Sequence, residues 1–517
     1  MTIINVDSEV NQAHDHLMKP IRNIMTAPVV TSRVDAPLTE AIRNMHEHRV
    51  GSVVVVEDDL PMGIVTERDV LRVADSPRLG DLRVVDTMTA PAETIDGSLE
   101  VTAVLERMRE RGYRHMPVTD DGLLVGIVSL RDLARIARIG PADVPRGLKG
   151  VEVTETSIGD VRGTEGFYHY RQYSAIDLAR ERPFEDVWML LVDGRLPTSR
   201  VERDTFMAET AGLRAIPAAL QRVLPAIASC STPLEGLRSA LSLAASARGC
   251  RPVFDVDTAT RRADALFVGA LTPSLLAALH RLGNGDEVVP PRRDLGHAAN
   301  YLWMLTGTEP SPDHARALER YLIATIDHGF NASTFTGRVI ASTGADMGAC
   351  VIGAIGALSG PLHGGAPSRA LDLLDEIGAA GRAREVVTRK VLAGERIMGF
   401  GHAVYRTEDP RSRLLRAEAR ALGGPIAELA LAVEQTVVEV LAEHKPGREL
   451  YANVEFYAGV VMAACGIDPA MFTPTFAASR MVGWTANVLE QATDPKIIRP
   501  SARYVGPTPP RPVPLLG

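Results

Sequence analysis

The sequence predicts a multidomain chain, an α/β pair of repeated units followed by a long, mainly α-helical region. Three observations carry this. Gly63-Ile64-Val65-Thr66-Glu67-Arg68-Asp69 recurs 63 residues later as Gly126-Ile127-Val128-Ser129-Leu130-Arg131-Asp132. A stretch of chain breakers then closes the repeated part: Gly140-Pro141, Val144-Pro145 and Arg146-Gly147. Beyond it the chain is rich in Ala and Leu at helical spacing, as in Ala240 to Ala247, with few strand signals.

In order along the chain, residues 1–20 form a polar, acidic tail unlike a signal peptide. The first repeat is assigned to 21–79 and the second to 80–140, with a linker at 141–149. Each copy opens on a Pro-bounded extended segment, Ile24-Met25-Thr26-Ala27-Pro28 and Thr87-Met88-Thr89-Ala90-Pro91. A helix follows, Leu38 to His48 and Leu99 to Arg111, the first supported by the spacing of Ala41, Ile42 and Met45. Next comes a buried strand, Ser52 to Val56 and His115 to Val118, read from β-branched runs. A second strand and a closing helix complete the unit. Gly63 and Gly126 are expected to leave room for a ligand. Two copies are too few for a solenoid, so a pseudo-symmetric pair sharing a buried face is expected. Gly150 to Val153, Ile158 to Asp160 and Phe167 to Tyr170 read as a small β-structured entry to the helices. The Pro-rich tail, 507–517, reads as extended.

At 517 residues the chain has room for about two to four domains. A net charge of −8, with no basic run, argues against nucleic acid as a partner. The longest apolar run, near Gly348 to Leu362, is too short to span a bilayer. Cys230, Cys250, Cys350 and Cys465 show no metal-ligand spacing and read as reduced core residues. A cytoplasmic protein without metal, nucleic acid or membrane partner is expected.

The chemistry concentrates in Gly399-Phe400-Gly401-His402-Ala403-Val404-Tyr405-Arg406-Thr407-Glu408-Asp409-Pro410-Arg411. Its glycines let backbone approach a ligand closely. His402 can move a proton near neutral pH, and Arg411 can grip a carboxylate with two hydrogen bonds. Together they point to an anionic substrate and acid–base work. Four further segments add to it: Asp327-His328-Gly329 through Thr334, Gly360-Pro361-Leu362-His363-Gly364, Asn453-Val454-Glu455-Phe456-Tyr457, and the two arginines Arg480 and Arg499.

The repeated part resembles a tandem pair of CBS domains, a module that often binds adenine nucleotides. The resemblance implies phosphate near Thr66 and Ser129, and ribose hydroxyls on Asp69 and Asp132. A hydroxyl at a helix start lies where free N–H groups attract phosphate. Thr66-x-x-Asp69 equally fits a helix cap that needs no ligand. Arg114 and His115 fit either phosphate partners or rim residues.

From about Gly147 to Arg503 the chain resembles the citrate synthase family, most specifically in Gly399 to Arg411, and also in Thr156-Ser157-Ile158, Tyr170-Arg171 and Leu196-Pro197-Thr198. The implied fold is a mainly α-helical one, with a large domain at 150–363, a small domain at 364–477 and a return to the large domain at 478–506. The implied catalytic residues are Glu455, which takes a methyl proton from acetyl-CoA; His363, which donates to the thioester oxygen as the enol forms; and His402, which polarises the oxaloacetate carbonyl. Arg411, Arg480 and Arg499 with His328 would hold oxaloacetate. Arg499 would reach in from the neighbouring subunit of a homodimer. Coenzyme A would run along Met398, Gly399 and Gly401, with Arg396 and Arg406 as either phosphate partners or solvated surface charges. No covalently bound cofactor is implied. Acyl-CoA is a co-substrate, and AMP, ADP or ATP an effector.

One position departs from the family, which carries aspartate where this chain has Glu455. The carboxylate is kept, so it can still abstract a proton. The leading reading is a citrate synthase with an adenylate-sensing module. A 2-methylcitrate synthase using propionyl-CoA is the runner-up, because one methyl is worth only about 1–3 kcal/mol of discrimination. A weakly catalytic, CBS-dependent sensor or scaffold is a third reading. Glu455 favours it, and the intact histidines and arginines oppose it.

Overall fold

The structure, a computed structural model, describes residues 20–48, 50–74, 78–130, 133, 148, 151–361, 363–364, 366–395, 397–401, 405, 407–444, 450–502, 504, 506 and 513. The chain divides into two compact units, Met1–Glu152 and Val153–Gly517.

In the first unit each repeat builds a three-stranded sheet with a helix between its first two strands; the first repeat adds its closing helix, and that of the second falls largely outside the described residues. The first runs β1 (Thr31–Arg33), α1 (Leu38–His48), β2 (Ser52–Glu57), β3 (Leu60–Thr66) and α2 (Glu67–Val73). The second runs β4 (Ile95–Asp96), α3 (Val101–Arg111), β5 (His115–Asp120) and β6 (Leu123–Ser129). In both, the first strand is parallel to the second and the third is antiparallel to it. The β-branched run Val53, Val54 and Val55 is wholly buried, which is why it reads as apolar without alternation. Helix α3 starts two residues later than its periodicity suggests. Ser98 bonds back to Asp96 through its backbone N–H (2.8 Å), and Glu100 stays extended as the N-cap.

The opening segments of the two repeats are exchanged. Thr26 bridges to Ile127 of the second repeat, and Thr89 bridges to Ile64 of the first. A Cβ placed on Gly126 would overlap the Met25 side chain, and one on Gly63 the Met88 side chain. This corrects one expectation: Gly63 and Gly126 make room for two methionines of the opposite repeat, rather than for a ligand. The Ile-Met-Thr-Ala-Pro and Thr-Met-Thr-Ala-Pro copies are therefore internal packing devices.

The second unit opens on an antiparallel meander, β7 (Gly159–Arg162), β8 (Phe167–Tyr170) and β9 (Tyr173–Ser174). The rest is helical. The helices that place the site are α4 (Thr258–Gly283), α5 (Pro312–Thr325), α6 (Ala332–Ala341), α7 (Pro410–Leu422), α8 (Pro425–His444), α9 (Val454–Ala464) and α10 (Phe472–Gln491). Trp188, Trp484, Tyr168, Tyr170 and Arg480 are among the largest fully buried side chains, and α10 carries two of them. Tyr168 Oη donates to the Ala324 carbonyl (2.9 Å) and Tyr170 Oη to the Ile323 and Asp327 carbonyls (2.8 and 3.1 Å). These bonds engage carbonyls in the last turn of α5 and just beyond it, where helical partners run out; Ile323 also accepts from the Ile326 N–H at 3.4 Å. They also fix the chain where it turns toward His328.

Helix α4 is long and apolar enough to cross a membrane, but 83% of its most apolar window is buried inside the fold. The sequence reading pointed instead to Gly348–Leu362. Arg261, Arg262, His280 and Arg281 at the ends of α4, with Thr272, Pro273 and Ser274 mid-helix, make its apolar centre hard to see. The cysteines also need correction. All four are free thiols, and Cys350 and Cys465 are buried. Cys250 is half-buried and Cys230 is exposed in the turn after a short helix, where its thiol donates to the Ala226 carbonyl at 3.3 Å.

Candidate active site

Five of the predicted residues converge on one cavity of about 430 Å³ in the second unit: His328, His363, Arg411, Glu455 and Arg480. They come from five places in the sequence. His328 follows the end of α5, and His363 sits in the turn after Met347–Leu358. Arg411 and Glu455 lie in the first turns of α7 and α9, and Arg480 lies within α10.

Local capping explains the placement. Asn453 is the N-cap of α9, and its side-chain oxygen accepts from the Glu455 backbone N–H (3.0 Å). Asp409 caps α7, with Pro410 as its first residue. Asn331 caps α6, its oxygen accepting from Ser333 and Thr334 N–H, both at 3.1 Å. Ser333 Oγ lies 2.9 Å from His363 Nε2 and accepts from Trp484 Nε1 at 3.2 Å, so the imidazole is held from below by a buried hydroxyl.

The glycines of the Gly399–Gly401 loop serve backbone pairing. Both have left-handed backbones, with φ of 84° and 83°. The Asn453 N–H donates to the Gly399 carbonyl (2.8 Å), the Gly401 N–H to the Tyr451 carbonyl (2.8 Å), and Asn453 Nδ2 to the Gly401 carbonyl (2.9 Å). A Cβ on Gly399 would come within 3.0 Å of Phe456, and at this left-handed φ any other residue would be strained. The loop that leads to His402 is thus stitched to the residues that cap the Glu455 helix. Met398 is half-buried beside it. Arg396, His402 and Arg406 lie outside the described residues.

The electrostatics separate the titratable groups. Burial lowers the His363 pKa to about 4, with nearby Arg480 adding to the effect, so the ring is neutral at pH 7. Burial raises Glu455 to about 7, and Asp409 pushes the same way against the pull of Arg411. Arg480 has its pKa lowered by burial, which Asp327 opposes, and its Nε donates to the Thr325 carbonyl at 2.9 Å. Asp327 is itself raised to about 6 by burial. Burial also works against the charge on Arg411, but the Asp409 carboxylate beside it more than compensates. His328 Nε2 pairs with Tyr405 Oη at 2.9 Å. The cavity therefore holds two buried guanidinium groups, a neutral imidazole, and a carboxyl poised near neutrality.

Arg499 does not line this cavity; it is exposed in the extended segment after α10. The sequence alone assigns no role to Asp409, Asp327, Asn331, Ser333, Tyr405 or Trp484. The Asp-Pro start of α7 and the Asn-x-Ser-Thr start of α6 were readable as caps, whereas the reach of Trp484 to Ser333 needed the fold.

A second cavity, about 270 Å³, lies in the first unit and brings together Thr66, Asp69, Arg114 and His115. Ser129 is not among its lining residues, and Asp132 lies outside the described residues. The capping alternative is realised in the geometry. Asp69 Oδ2 accepts from the Thr66 N–H (2.9 Å) and the Thr66 hydroxyl (2.7 Å), and Asp69 also pairs with Arg72.

The second unit is thus a mainly helical fold whose cavity gathers buried cations and groups able to exchange protons. Its sequence matches the citrate synthase C-terminal domain over residues 147–501, and the first unit matches the CBS domain twice, over 21–76 and 80–138. The chain belongs to the citrate synthase family and is a citrate synthase-type acyltransferase carrying a tandem CBS pair. It is 37% identical over 366 residues to the citrate synthase of Deinococcus radiodurans, covering 71% of this chain and 96% of that one. It is 35% identical over 370 residues to the 2-methylcitrate synthase of Shewanella oneidensis, covering 71% and 96%. The fold is similar to the ternary complex of carboxymethyl coenzyme A and oxaloacetate with citrate synthase from Thermoplasma acidophilum. There the TM-score is 0.65 at 26% identity, covering 71% of this chain and 98% of that one.

Proposed function

We propose that this chain condenses acetyl-CoA with oxaloacetate to give citrate and free CoA, using the 430 Å³ cavity as its active site. The observation that carries the reading is the meeting of Glu455, His363, Arg411, Arg480 and His328 in that one cavity. Arg411 and Arg480 pair with the two carboxylates of oxaloacetate, with His328 as a further donor. Glu455, with a pKa of about 7, is well matched to take a methyl proton at neutral pH. Neutral His363 donates to the thioester oxygen, where negative charge grows as the enol forms. His402 polarises the ketone of oxaloacetate and protonates the alkoxide left after the carbon–carbon bond closes. Water then cleaves the citryl thioester. Met398, Gly399 and Gly401 run beside coenzyme A, the small domain spans 364–477, and the working form is a homodimer.

The Shewanella relative supports a second reading, in which propionyl-CoA is the acyl donor. The experiment is a comparison of kcat/KM for acetyl-CoA and propionyl-CoA with oxaloacetate. The leading reading expects acetyl-CoA to be favoured by about tenfold or more, the scale of one methyl group. A preference for propionyl-CoA would replace it with the second reading.

The CBS pair is proposed to bind AMP, ADP or ATP in the 270 Å³ cavity, with Thr66, Arg114 and His115 toward phosphate. Calorimetry on the full chain checks this. Asp69→Ala is expected to weaken binding about tenfold, because it removes both a ribose partner and the cap of α2. No heat with any of the three nucleotides would leave the pair as an assembly module.

A further inference from the structure

We propose that Asp409 is a positioning residue. Its one carboxylate both aims the Arg411 guanidinium and seats the N-terminus of α9, so the substrate-side cation and the Glu455 carboxylate keep a fixed spacing. The proposal rests on the reading that Arg411 and Glu455 face substrate. It adds a residue that touches neither substrate nor reacting atoms in that reading.

Asp409 Oδ1 accepts from the Arg411 backbone N–H and from Arg411 Nε, both at 3.0 Å. Oδ2 accepts from Arg411 Nη2 at 2.8 Å and from the Val454 backbone N–H at 3.2 Å. An ionised carboxylate offers about four lone-pair directions, so it can accept all four of these bonds. The Asp409 side chain is 1% exposed and that of Arg411 4%, so water does not compete. Val454 is the first residue of α9 and Glu455 the second. A shift of this carboxylate therefore moves the guanidinium and the start of the Glu455 helix together. Bidentate pairing fixes the guanidinium plane as well as its position.

The same carboxylate offsets the Arg411 charge as felt by Glu455. Among the described residues, the other charged or titratable groups that face the cavity with Glu455 are Asp160 from β7, Tyr321 from α5, Arg480 from α10, and His328 and His363. On the far side of α9, Glu434 of α8 is engaged with Tyr457 and Arg416. Arg411 and Asp409 are the two charges that act most strongly on Glu455, and in opposite directions.

The test is Asp409→Asn in the full chain. Asparagine keeps the shape but loses the charge, and its amide nitrogen faces N–H donors. The KM for oxaloacetate is expected to rise about tenfold or more, the scale of one charge-assisted hydrogen bond. The acid limb of the kcat–pH profile is expected to move to lower pH, because Arg411 then favours ionised Glu455 without opposition. A merely structural Asp409 would reduce the amount of folded enzyme, leaving both KM and the acid limb in place, and that result overturns the proposal. If Asp409→Asn does not fold, Val454→Pro, compared with Val454→Ala as the control for the cavity-lining side chain, removes the N–H that Asp409 receives from α9, at a helix position where proline is tolerated. It should lower kcat about tenfold with little change in the oxaloacetate KM, and an unchanged kcat overturns the proposal. Failure of the underlying substrate reading is distinct: the unmodified chain would turn over no acyl-CoA, and the Asp409 proposal would fall with it.

Discussion

Glu455→Gln is expected to lower kcat by roughly 10²–10⁴-fold while oxaloacetate still binds, the range that loss of a general base produces. The amide has nearly the same shape and can still occupy the second position of α9, but it cannot accept the methyl proton. Glu455→Asp is the finer probe. Glutamate is one methylene longer than the aspartate usual in the family, and its helix start is held by Asn453 and Asp409 rather than by its own side chain. Shortening the side chain on an unmoved backbone withdraws the carboxylate, and a displacement of about 1 Å can cost roughly 100-fold. Aspartate at 455 is thus expected to be worse than glutamate. The pH dependence follows from burial. A base with a pKa of about 7 must be ionised to act, so kcat is expected to fall as pH drops through 7. Steady-state kinetics over about pH 5–9, together with calorimetric oxaloacetate binding, check all three. A near-normal rate in Glu455→Gln would remove Glu455 from the base role.

The second large effect is expected at Arg499. Within its own chain it is exposed and away from the cavity. If it serves the partner's site, Arg499→Ala should raise the oxaloacetate KM by about 10–100-fold, the worth of one or two charge-assisted hydrogen bonds. Mixing Arg499→Ala subunits with His363→Ala subunits should restore activity, because one site of each hybrid then holds both intact groups. Failure to complement, with hybrid dimers shown to form by mass, would place Arg499 outside the site altogether.

These two positions also mark what the sequence made legible. The fold class was readable because its signals are local. A repeat with β-branched runs and a helical period of Ala and Leu need no long-range information. The chemical residues were readable as motifs, and five of them meet in one cavity although they are scattered from His328 to Arg480. What the sequence hid was long-range packing. Gly63 and Gly126 looked like ligand space, and only the exchange of Met88 and Met25 between repeats explains them. Thr66-x-x-Asp69 left capping and ligand binding open. The fold realises the cap and also places Thr66 and Asp69 on the lining of a cavity. Asp409 sat in plain view before Pro410. Its bond to Val454 joins residues 45 positions apart, and no local pattern announces such a bond.

In the proposed function this cavity activates acetyl-CoA only when its arginines hold a dicarboxylate. Release of free CoA thiol from acetyl-CoA by the purified full chain, with and without oxaloacetate, tests it most directly. The account predicts steady thiol release that requires oxaloacetate and is abolished in Glu455→Gln. Thiol release that ignores oxaloacetate, or none with either acetyl-CoA or propionyl-CoA, would contradict it.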